Sequence, residues 1–153
     1  MRKVSVVEFM FIEAFQRDED FEQYSQSTYL DLQTGDVIFV FLEDDADMWG
    51  IDPKENVTLR DKVEAVPERY LEFRGRNHGE HHDILREFLN SNWTDDKKLW
   101  AKAQEAYSGS IGGWKEEVDD QDAVHAYYDF RDRKIKELAE EFFHDHDIQP
   151  VWR

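Results

Sequence analysis

The residues of this chain that could do chemistry are six histidines among 36 carboxylates, with no cysteine. Thiolate catalysis, disulfides and cysteine-based zinc or iron–sulfur sites are therefore excluded. Two histidine clusters invite a metal. His78-Gly79-Glu80-His81-His82 puts two imidazoles four residues apart, the spacing at which neighbours on one helical face can reach one ion. Gly79 and the turn-rich stretch before it, however, predict no continuous helix there. His144-Asp145-His146-Asp147 alternates at a helix end, so its two histidines do not share a face. Glu140 and His144 do, at i and i+4, but two ligands do not make a site. Asp45-x-Asp47-x-Trp49-Gly50 has the outline of a calcium loop. Trp49 takes the fifth loop position, where an oxygen ligand belongs, and Asn56 stands where the bidentate Glu should be.

No metal and no cofactor is assigned on this basis. Histidines that partly neutralise an acidic surface account for both clusters. The tandem His82-Asp83 and His144-Asp145 pairs are similar to those of metal-dependent phosphohydrolases, so a hydrolase using His78, His81 or His82 stands as an alternative. Nucleophilic catalysis has no foothold, because there is no Gly-x-Ser-x-Gly. Ser108 to Gly113 lacks the lysine of a phosphate-binding loop and follows no strand. No catalytic residue is named. The candidate binding residues are Trp114, Lys115, Tyr128 and Arg131, two cations and two aromatics in the acidic C-terminal half. Packing alone would also explain each. Arg131 falls inside an apolar helical stripe, where a long side chain can snorkel or pair with a carboxylate.

Nineteen basic against 36 acidic residues leave a formal charge of −17. Such a surface repels phosphate backbones and anionic lipid, so no direct nucleic-acid or membrane binding is expected. Apolar residues are 40% of the chain and aromatics 14%, enough to build a packed core, so the acidity belongs to a folded surface. No apolar run reaches membrane-spanning length and the N-terminal stretch is broken by Ser5, Glu8 and Glu13, which predicts a cytoplasmic protein. The leading expectation is a non-enzymatic binding or regulatory module whose partner is a protein with a basic surface. An acidic nucleic-acid mimic that inhibits a DNA- or RNA-binding protein is the second.

These residues must be positioned by an α+β fold. Thr28 to Leu42 has the form of a β-hairpin, with Gln33-Thr34-Gly35 as the loop and Gly35 in the left-handed region. Its second strand, from Val37, is apolar on both faces, which predicts a central strand or one covered by helices on both sides. Val4 to Gln23 has helical periodicity, although its first valines also suit a short strand. Asp52-Pro53 can start a helix capped by Asp52 or precede a loop at Asn56 to Thr58. Arg69 to Phe73 alternates as a third strand. Helices are expected at Glu80 to Asn90, from a Thr94 cap to Tyr107, at Trp114 to Val118 and at Asp122 to His146. Ile148 to Trp152 reads as an edge strand. The expectation is one domain over 1–153, a small antiparallel sheet (the hairpin plus one or two further strands) covered by about five helices.

Several of these phrases occur together in one family. Tyr29-Leu30-Asp31-Leu32-Gln33-Thr34-Gly35-Asp36-Val37 is similar to the hairpin phrase of a bacterial uncharacterised protein family, number 0158 of the UPF series. Arg69-Tyr70-Leu71-Glu72 resembles its following strand. Tyr107 to Lys115, Tyr127-Tyr128-Asp129-Phe130-Arg131 and Asp147-Ile148-Gln149-Pro150 resemble its C-terminal half. The chain departs from the family's Gly-Ala-Phe-x-x-Phe-Lys phrase, having Ile111-Gly112-Gly113-Trp114-Lys115. The resemblance implies a cytoplasmic bacterial α+β domain and brings no activity with it.

Overall fold

The structure is a computed structural model that describes residues 1–18, 26–41, 50 and 52–153. The end of the helix expected to run to Gln23 and the calcium-like loop from Asp45 to Trp49 lie outside the described residues. The chain forms two compact units, one of residues 1–77 with 138–153 and one of residues 78–137. Among the described residues there are six α-helices and two small sheets, an α+β fold as expected, with one helix and one sheet more than anticipated.

The first unit opens with β1 (Arg2–Val6), not with helix. Val4 and Val6 are buried while Ser5 between them is exposed, so an extended backbone sends the β-branched side chains inward, and α1 (Glu8–Gln16) starts only afterwards. β1 pairs in parallel with β5 (Ile148–Trp152), aligning Val4 with Pro150. The predicted edge strand thus belongs to a separate two-stranded sheet. Backbone bonds from Arg153 N–H to the Val6 carbonyl and from Glu8 N–H to the Arg153 carbonyl, both 3.0 Å, extend the pairing beyond the strands.

The second sheet has the order β3–β2–β4, with β2 (Gln26–Asp31), β3 (Val37–Phe41) and β4 (Tyr70–Phe73) all antiparallel to their neighbours. The central strand is therefore β2, not the apolar β3. β3 is apolar on both faces because α1 and α2 (Pro53–Ala65) both contact it. Asn56 of α2 completes its outer edge: the side-chain carbonyl accepts from Phe41 N–H and the amide donates to the Phe41 carbonyl, each at 2.8 Å. A buried side-chain amide stands in for a missing strand. The Asp52 cap on Lys54 N–H (2.9 Å) and Pro53 in the first turn settle the ambiguous segment as helix.

The hairpin tip is fixed from three sides. Gly35 has φ +80°, and a Cβ there would lie 2.2 Å from the Ser5 carbonyl oxygen, so only glycine permits both the turn and its approach to β1. Asp31 accepts from the backbone N–H of Gln33 (2.9 Å) and Thr34 (3.3 Å). It also takes a forked pair of bonds from Arg69 Nε (2.9 Å) and Nη2 (2.7 Å). The Arg69 guanidinium and these backbone donors hold the Asp31 carboxyl down at about 2 despite its burial. Arg153 closes the third side, donating from Nη2 to the Thr34 carbonyl at 2.6 Å and from Nε to Ser5 Oγ at 2.8 Å. The core of this unit centres on fully buried Phe11, whose ring lies 4.6 Å from Phe73, 4.7 Å from Phe143 and 5.5 Å from Phe15.

The second unit contains α3 (His78–Asn90), α4 (Lys97–Ala106), α5 (Ile111–Val118) and α6 (Gln121–Asp145) as far as Glu137. α3 begins at His78 and carries Gly79 in its first turn, against the expected break. The cap of α4 is Asp96, whose carboxylate accepts from Lys98 and Leu99 N–H, not Thr94, which instead accepts from Asp96 N–H. Ser110 caps α5 by accepting from Gly113 N–H at 3.0 Å, so Gly112 and Gly113 are helical rather than loop. Phe88 is the centre of this core, with Trp93 at 4.9 Å, Phe130 at 5.6 Å, Tyr127 at 5.7 Å and Trp114 at 6.0 Å. In α6 the buried positions Ala123, Tyr127, Ile135, Ala139 and Phe143 step by four or eight. The vacant step in that series is Arg131.

Candidate functional site

Of the four candidate binding residues, the structure places one in the core and brings three together. Trp114 is fully buried, and its indole N–H donates to the Ala103 carbonyl at 3.0 Å. It is a packing residue, with Tyr127 at 5.5 Å in edge contact. Lys115, the next residue of α5, turns its ammonium over the Tyr128 ring at 4.8 Å. Arg131 places its guanidinium 4.8 Å from the same ring, three residues along α6. The Tyr128 ring thus carries two cations. Both contacts are cation–π attractions, which strengthen as the groups lose water, and all three side chains are half-buried.

Arg131 is the least satisfied polar residue of this group. Its Nη2 reaches Asp132 at 3.3 Å, with a side-chain exposure of 28%. Its Nε is buried without a hydrogen-bond partner. A guanidinium presents five donors, so an ion pair to an exposed neighbour leaves capacity unused, and the expected structural ion pair accounts for only part of this residue. Exposed carboxylates surround the cluster in sequence: Glu116 and Glu117 follow Lys115, Asp129 follows Tyr128, and Asp132 follows Arg131.

The histidines of α3 form a second polar group. Because the helix starts at His78, His78 and His82 share a face and their Nε2 atoms lie 2.9 Å apart. The other ring nitrogen of His82 contacts the Tyr107 hydroxyl. Burial, with His78 beside it, pushes the His82 imidazole below its ordinary value. His144 and His146, by contrast, are exposed at the end of α6. Among the described residues no group of three or more His, Asp or Glu side chains converges as a ready-made metal site.

A cleft of about 230 Å³ lies in the first unit, lined by Arg17, Asp18, Thr28, Glu72 and Arg74 among others. It contains none of the residues singled out from the sequence. Nothing in the sequence pointed to Asp31, Arg69, Asn56 or Tyr107 as polar anchors. Each makes its contact across 15 or more residues, a separation that periodicity does not read. No family model, no curated protein and no solved structure matches this chain.

Proposed function

We propose that the protein is a non-enzymatic binding module that holds a basic protein partner, with Tyr128 and Arg131 as its anchors and the flanking carboxylates as its steering charge. The observation that carries this reading is the half-buried Tyr128 ring with Lys115 and Arg131 each 4.8 Å from it, all three followed in the sequence by exposed carboxylates, Glu116, Glu117, Asp129 and Asp132. Tyrosine and arginine dominate interface energetics because they bring large contact area with a polar end. Acidic groups around them accelerate encounter with a cationic surface and select its sign. The same reading fits the distribution of positive charge. Arg17, Arg69, Arg76, Arg86, Lys115 and Arg131 all lie over aromatic rings. These contacts tie six of the 19 basic side chains to positions on the protein's own surface and leave a chain with 36 carboxylates strongly negative toward a partner.

The test is affinity capture from a bacterial lysate by the intact chain and by its Tyr128→Ala/Arg131→Ala variant in parallel. The expected result is a stoichiometric protein, released by salt, that the variant fails to retain. Capture by both at equal yield, or by neither, would remove this cluster from the interface.

A further inference from the structure

The His78–His82 pair has the geometry of half a metal-coordination shell. Two imidazole nitrogens bound to one ion at about 2.0–2.1 Å stand between about 2.9 Å apart at a right angle and about 3.4 Å at a tetrahedral one. The two Nε2 atoms here are hydrogen-bonded to each other at 2.9 Å, so a bound ion would take the place of the proton they share. They project from one face of α3, four residues apart, so the helix backbone fixes their spacing. His82 is also oriented as ligating histidines usually are. Its Nδ1 faces the Tyr107 hydroxyl, and the tautomer that donates Nδ1–H to that oxygen leaves the Nε2 lone pair directed at the shared point. Tyr107 comes from the end of α4, so a second helix sets the ring. His82 is buried and His78 is exposed, which gives an ion one anchored ligand and a side open to water for its remaining positions. Arg86, a cationic neighbour of His82, lies over the Tyr107 ring and is paired with Asp83 at 3.1 Å, which offsets its charge.

We infer that His78 and His82 bind one divalent ion of the imidazole-preferring class, such as Zn²⁺, with Tyr107 as the positioning residue and water completing the shell. Neutral imidazole suits zinc, copper and nickel, whereas an all-oxygen set would favour magnesium or calcium. This assignment is independent of the partner-binding cluster.

Zn²⁺ titrated into the full-length chain by calorimetry tests it. One equivalent should bind saturably, and His78→Ala should abolish that binding with the helical circular dichroism intact, because His78 is exposed. Tyr107→Phe should weaken it about tenfold, the scale of an outer-shell loss. The double variant His144→Ala/His146→Ala should bind as the parent does. Absence of a saturable equivalent in the parent, or unchanged binding by His78→Ala, would overturn the site. Undiminished affinity in Tyr107→Phe would overturn the orienting role of Tyr107.

Discussion

The two units are built on the same kind of nucleus and differ in what their polar side chains do. Each centres on a fully buried phenylalanine ringed by aromatics, Phe11 in the first and Phe88 in the second. In the first unit the notable polar groups are consumed by structure. Asp31 ties the hairpin loop to Arg69, Asn56 completes the edge of β3, and Arg153 closes on the Thr34 carbonyl. In the second unit two cations share one tyrosine ring, Arg131 Nε is buried without a hydrogen-bond partner, and His82 bonds to His78 on one side and to Tyr107 on the other. A buried polar group with every bond made rigidifies a fold, and one with capacity to spare is available to a ligand. The residues of the two proposed sites all belong to the second unit.

The largest expected effect breaks the second nucleus. Phe88→Ala removes a fully buried ring and should cost about 3–5 kcal/mol, read as a lowered midpoint in urea. If the units unfold separately, tryptophan fluorescence reporting on Trp93 and Trp114 should shift first. Gly35→Ala is the counterpart in the first unit. Its added Cβ meets the Ser5 carbonyl at 2.2 Å and φ is +80°, so a loss of about 3 kcal/mol is expected from strain and displacement of the tip. A loss below about 1 kcal/mol would show that the tip is not locked against β1.

A smaller effect follows from Asp31. Its carboxyl falls from 3.8 to about 2 in the folded chain, so the folded state holds the proton less tightly than the unfolded one. The stabilisation is complete above about pH 4 and disappears as pH falls through the folded value near 2. The Asp31 side chain is 5% exposed and that of Arg69 34%, so solvent screens the pair and the contribution is on the order of 1–2 kcal/mol. Asp31→Asn should flatten the acid limb of the stability curve, and an unchanged limb would remove Asp31 from the account. The smallest expected change is Tyr128→Ala, which trades a half-buried ring and two cation–π contacts for about 1–2 kcal/mol of stability. Its effect on partner capture should exceed its effect on the melting temperature, which separates a binding role from a packing one.

The fold was legible wherever a local rule decides. The hairpin turn follows from Gly35 and the third strand from alternation, the strand starting at Tyr70 rather than at the expected Arg69; of the two readings of Asp52-Pro53, the helix start is the one that forms. The departures have physical causes. Gly79 was read as a breaker, but a glycine in a helix costs only about 1 kcal/mol, and the apolar stripe of Ile84, Leu85, Phe88 and Leu89 holds α3 in place. The apolarity of β3 predicts either a central strand or one covered by helices, and the second alternative holds: β2 is central, and α1 and α2 both contact β3. No spacing rule joins α5 to α6, so the proximity of Lys115 to Tyr128 and Arg131 is not legible in the sequence. The His78–His82 pair required the helix that the sequence argued against.

The claim that the second unit presents the binding surface is tested most directly by the salt dependence of association with the captured partner, measured for two sets of charge reversals. One set converts Glu116, Glu117, Asp129 and Asp132 to lysine, and the other converts Asp61, Glu64 and Glu68 of the first unit, all exposed. The account predicts that the first set slows association about tenfold or more at low ionic strength and flattens its salt dependence, while the second set changes the rate by less than about twofold. Equal losses from both sets, or a loss only from the second, would contradict it.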